Sequence, residues 1–164
     1  MRITTKGRYA IRAITNLALE NSDKPKAIKT IAKEEGISPE FLEQIFFRLK
    51  RAGLISSVRG PGGGFRLARE TSEISIKEIF DVVGEGIDLT PCTSLPDEED
   101  EFPRNPNAYT ASGCSRTEAC LTHVLWGNVS DHLNQYFSAL TLDKIVAGSN
   151  MQDAADILLE KQHA

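Results

Sequence analysis

LISSVRGPGGGFRLA, Leu54–Ala68, sets the frame for the rest of the chain. Two apolar pieces, Leu54–Ile55 and Phe65–Leu67, flank a tip of Arg59, Gly60, Pro61, Gly62, Gly63 and Gly64. Apolar pieces around a glycine- and proline-rich centre predict a short antiparallel ribbon with a bare tip. Glycine lets backbone approach another surface closely, and Arg59 would carry a guanidinium to that surface. Immediately upstream, Ile37–Gly53 reads as a turn followed by an amphipathic helix. Helix, turn, helix and a basic glycine ribbon is the order of a winged helix-turn-helix, a mainly α fold whose small β element is the wing. An ordinary surface hairpin can carry the same glycines, so the ribbon takes its meaning from its neighbours.

Those neighbours agree. Ser38 is a good N-cap, and Pro39 fits the first helical position, where a missing N–H costs nothing. Phe41, Leu42, Ile45, Phe46 and Leu49 form the apolar stripe of this helix, leaving Glu40, Glu43, Gln44, Phe47, Arg48 and Lys50 outward. Before it, Ala27–Glu35 is a short helix with Ile28, Ile31 and Ala32 inward, stopped by Gly36. Residues 22–26, SDKPK, read as a turn, and residues 7–20 as a first amphipathic helix.

In a helix-turn-helix the second helix enters the DNA major groove with its N-terminal end leading. Ser38, Pro39, Glu40, Phe41 and Glu43 would then lie at the reading end. Two carboxylates there are unexpected; Glu43 could accept from cytosine N4 or repel the wrong site, so it is expected to discriminate between sites. The wing tip, Arg59, Gly60, Pro61 and Gly62, suits a narrow A·T-rich minor groove. Arg2, Lys6, Arg8 and Arg12 crowd the start of the first helix, where cations oppose the helix dipole. A reason other than helix stability is expected, and phosphate contact, with Lys6 and Tyr9 taking part, is one.

The net charge of −4 hides a division. Residues 1–70 hold 14 Lys and Arg against 7 Asp and Glu, a net of +7; residues 71–164 hold 5 against 16, a net of −11. A basic front and an acidic rear predict that only the front meets a polyanion. No apolar run reaches the roughly 20 residues of a membrane span. The basic N-terminus lacks the apolar core and cleavage site of a secretory signal, so a cytoplasmic protein without a membrane partner is expected. No phosphate loop, nucleophile elbow or carboxylate pair is evident, which leaves an enzyme the least supported class.

Beyond the wing, Ser75–Glu78 reads as a capping box opening a helix through about Val83. A long loop follows over 88–113, with four prolines and the acidic run Asp97–Glu101. Leu121–Leu140 is the longest expected helix. Its stripe of Leu121, Leu125, Val129, Leu133, Tyr136, Phe137 and Leu140 predicts two-fold pairing with a second copy. Thr141 caps a short helix over Leu142–Val146. The expected division is a DNA-binding domain over 1–84, a ligand loop over 85–120, a dimerisation element over 121–147 and an acidic tail over 148–164.

All three cysteines, Cys92, Cys114 and Cys120, fall in that loop or at its end, and His123 follows Cys120 by one helical turn. Three thiolates and an imidazole can hold zinc or an iron–sulfur cluster. Zinc sites usually carry close cysteine pairs, and none exists here, so a larger inorganic core suits the wide loop better. A zinc-stabilised protein and a cluster-free thiol-redox repressor remain the alternatives.

The motifs KGRYA at Lys6–Ala10, FLEQ at Phe41–Gln44, SSVRGPGGG at Ser56–Gly64 and CLTHVLW at Cys120–Trp126 resemble the bacterial family of winged-helix repressors that carry cluster-binding cysteines. The resemblance runs over about residues 1–147. It implies a homodimeric transcription factor on palindromic double-stranded DNA, holding a 2Fe–2S cluster through Cys92, Cys114, Cys120 and His123. It further implies cluster-dependent choice among promoters, feedback on cluster-assembly genes, and cluster-assembly proteins as donors. The chain departs from the family in the 21 residues, Thr93–Gly113, between its first two cysteines, and in Glu40 and Phe41 at the tip of the reading helix.

Overall fold

The computed structural model describes residues 3–19, 24–87, 89–90 and 120–148. Arg2, Cys92, Cys114, the acidic run and the acidic tail from residue 149 onward lie outside the described residues. The first helix, α1 (Thr5–Leu19), starts earlier than its apolar spacing predicts. Its cap comes from far along the chain. Glu85, 5% exposed, accepts from the Thr4 backbone N–H at 2.7 Å and from the Thr4 hydroxyl at 2.5 Å. A carboxylate at a helix start satisfies donors there and complements the dipole.

The next two helices are α2 (Ile28–Glu35), closed by Gly36, and α3 (Pro39–Arg51). The Ser38 hydroxyl accepts from the Phe41 N–H at 3.3 Å, and Pro39 occupies the first turn, as the sequence predicts. The wing follows as β1 (Ile55–Val58) and β2 (Gly64–Leu67), antiparallel, with Ile55 opposite Leu67 and Val58 opposite Gly64. At its tip Gly60 and Gly62 have φ of 106° and 76°, a region closed to most side chains.

One contact of the wing is absent from the sequence reading. Lys26 bridges to Phe65, exchanging two backbone bonds of 2.8 Å, so the SDKPK segment ends as a partner of β2 and not simply as a turn. Gly64 makes this possible: a β-carbon there would stand 2.3 Å from the Lys26 carbonyl oxygen. The Lys26 side chain is 9% exposed and meets Glu34 at 2.7 Å.

After a single 3₁₀ turn over Thr71–Glu73 comes α4 (Ile76–Val83). The Ser75 hydroxyl accepts from the Glu78 N–H at 3.1 Å, but the Glu78 carboxylate turns to Arg69, 2.5 Å away, so only half of the expected capping box forms. Ile14, Ile31, Leu42, Phe46, Leu49, Leu54, Ile79 and Phe80 fill one core shared by α1 to α4 and the wing base.

The long helix α5 (Leu121–Ala139) and the short α6 (Leu142–Ala147) complete the described chain. Leu142 is fully buried in the same core. Around it the Ile76 N–H donates to Leu140 O and the Leu142 N–H to Ile74 O, each at 2.9 Å. The stripe predicted along α5 is divided between two environments. Leu133, Phe137 and Leu140 pack on the core, with Phe137 edge-on to Phe80 at 5.4 Å. Leu121, Leu125, Val129 and Tyr136 stand exposed, joined by Val124 and Trp126. Among the described residues no helix is long and apolar enough to cross a membrane.

Candidate nucleic-acid interface and cysteine centre

Burial of the α3 stripe fixes what the opposite face presents. Leu42, Ile45, Phe46 and Leu49 are buried, and the i, i+3, i+4, i+7 positions Glu40, Glu43, Gln44 and Phe47 are exposed along one line. Ser38 is exposed and Pro39 half-buried at its leading end. Phe41, the first residue of the predicted inward stripe, packs against the core but is only half-buried, and it meets Tyr9 edge-on with ring centres 5.8 Å apart. Arg12 lies over the other ring, its guanidinium 5.6 Å from the Tyr9 centroid, and bonds Glu35 at 3.0 Å. Tyr9 thus links α1 to the start of α3.

Lys6 is half-buried on α1. Burial first, and then the nearby Arg48 charge, lower its pKa from 10.5, while Glu85 acts in the opposite sense. An ammonium crowded in this way gains from an incoming anion. Arg48 is itself held by a 3.4 Å bond to the Val83 carbonyl. Across the wing, Arg59, Gly60, Pro61 and Gly62 are all exposed. β1 packs on α3 and β2 on α1, so the ribbon is carried by the two helices that bear the other candidate contacts.

Two of the four predicted cluster ligands, Cys120 and His123, are described. Cys120 stands at the N-cap of α5 with its sulfur 3.2 Å from the Thr122 hydroxyl. That hydroxyl foremost, then the backbone N–H groups of Thr122 and His123, lowers the thiol's pKa from 9.0. His123 sits in the first turn, half-buried, and its Nδ1 is buried without a hydrogen-bond partner. A thiol with a lowered pKa and, three residues on, an imidazole nitrogen left unbonded fit a thiolate- and imidazole-ligated centre. Among the described residues no three ligating side chains gather; Cys92 and Cys114 lie outside them.

Glu85 and Lys26 were not legible as functional supports. Glu85 lies between two glycines after a helix end, and nothing local signals that it caps α1. Only the tertiary fold brings Thr4 and Glu85, 81 residues apart, together.

Comparison with known proteins fits this arrangement. The chain is 36% identical over 156 residues to the HTH-type transcriptional regulator IscR of Pectobacterium carotovorum, covering 95% of this chain and 85% of that protein. It is 37% identical over 155 residues to IscR of Photorhabdus laumondii, covering 94% and 85%. Among solved structures, T. potens IscR superposes with a TM-score of 0.67 at 26% identity, over 93% of this chain and 90% of that one. CymR, the global cysteine regulator of B. subtilis, superposes at 0.66 with 27% identity, over 92% and 99%. A profile of Rrf2, described as an iron-dependent transcriptional regulator, matches residues 3–148. The chain belongs to the Rrf2 family, and is a winged-helix transcriptional regulator and not an enzyme.

Proposed function

We propose that this chain is a homodimeric DNA-binding regulator that senses iron–sulfur cluster status through a 2Fe–2S cluster and controls cluster-assembly genes. Cys92, Cys114, Cys120 and His123 would hold the cluster. The observation that carries the reading is that Cys120 and His123, three residues apart at the start of α5, are both partly accessible, with His123 Nδ1 left without a hydrogen-bond partner. The similarity to regulators named IscR supports it. When bound, such a cluster supplies a metal–sulfide core sensitive to iron supply and oxidation.

The chain's own residues supply the rest. Each protomer's α3 reads half of a palindrome from the major groove, the two halves about one helical turn apart. Arg59 enters the flanking minor groove, with Gly60, Pro61 and Gly62 giving close backbone approach. Lys6 and its neighbours on α1 meet phosphates. The exposed Leu121, Val124, Leu125, Trp126 and Val129 of α5 pair with their copies.

Anaerobic purification with absorption, iron, sulfide and zinc analysis tests the centre. About two irons and two sulfides per chain are expected, lost in Cys120→Ala; one tightly held zinc in their place would refute the cluster. Sequence selection with Glu43→Ala should return a broader set of sites than the wild type, and an unchanged set removes Glu43 as the discriminator. A second reading, a thiol-redox regulator, is favoured by the lowered thiol pKa of Cys120 and the likeness to CymR. It predicts metal-free protein whose DNA affinity changes with reductant.

A further inference from the structure

Phe47 is 58% exposed on the outward face of α3, although the same helix buries Leu42, Ile45, Phe46 and Leu49. It continues the line of Glu40, Glu43 and Gln44, and these four with Arg48 line one shallow recess. The recess is chemically mixed, with two carboxylates, one carboxamide, one guanidinium and an aromatic ring. The Arg48 guanidinium bonds the Val83 carbonyl, and the two carboxylates, which outnumber it, disfavour a phosphate and favour an amino group. In the major groove, amino donors belong to cytosine N4 and adenine N6, and the apolar group on the base edges is the thymine 5-methyl.

Glu43 and Phe47 are four residues apart, roughly 6 Å along a helix, comparable to one or two base-pair steps. We propose that Phe47 is a specificity-determining residue whose ring packs on the 5-methyl of a thymine, one or two base pairs from the base facing Glu43. The inference rests on the assignment of α3 as the reading helix.

The test uses the full chain and a duplex it selects from a random pool. Each dT of the selected site is replaced in turn by dU, which removes only the methyl. One position per half-site should lose about fourfold in affinity, the transfer free energy of one methyl group. Phe47→Ala should bind the dT and dU duplexes alike, with the salt slope of the wild type. Phe47→Leu, which keeps an apolar contact, should restore part of the preference. A wild type indifferent to every dT→dU change would overturn the proposal. So would a Phe47→Ala protein that keeps the preference, or one that changes only its self-association, which would assign the ring to a second copy. A wild type that selects no sequence would overturn the reading of α3 itself, and with it this contact.

Discussion

Lys6, a proposed phosphate contact, shows at a single residue how a crowded cation works against the stability of the free protein. Its folded-state pKa lies below 10.5 because burial and Arg48 oppose the charged form. The unfolded chain therefore binds this proton more tightly, and the penalty is fully present below the folded-state value. It fades as pH rises from that value to 10.5. Lys6→Met, which keeps the aliphatic stem, should raise the melting temperature at pH 7 and lose that advantage above 10.5, as thermal melts across pH would show. The same substitution should weaken DNA binding and reduce the salt slope by about one. An unchanged slope would remove Lys6 from the phosphate contacts.

Among elements, the wing depends on a neighbour as much as on its own turn. Gly64→Ala would drive a β-carbon to 2.3 Å from the Lys26 carbonyl oxygen, and backbone cannot yield as a side-chain tip can. Overpacking of this kind should destabilise the protein by about 1–3 kcal/mol. It should also release the Lys26–Phe65 bridge, visible as faster amide exchange at Lys26 and Phe65. The ribbon, the Ser38 cap and the α3 stripe were legible from sequence because each is written in consecutive residues with a local physical cause. The Lys26 bridge was not, because a one-residue pairing leaves no periodicity. Nor was the division of the α5 stripe, since seven apolar residues at helical spacing look alike whether a copy or Phe80 covers them. In the candidate centre, the Cys120–His123 spacing was readable, whereas the unbonded state of His123 Nδ1 emerged only from the packing.

At the scale of the whole molecule, helices α1 to α4 and the long helix share one interior. Leu142, fully buried, lies in the core shared by α1 to α4 and the wing base, and two 2.9 Å backbone bonds clasp the 74–76 and 140–142 segments. Leu142→Ala should cost about 2–5 kcal/mol and lower the urea midpoint of the entire protein in one cooperative transition. A separate early transition confined to α5 and α6 would show that they are independent of α1 to α4.

This late anchor also orders events at the ribosome. The chain emerges N-terminus first, so Cys92, Cys114 and Cys120 are all synthesised before Leu142 exists to enter the core. The core of α1 to α4 and the wing base therefore stays incomplete until the chain has been made beyond all three thiols.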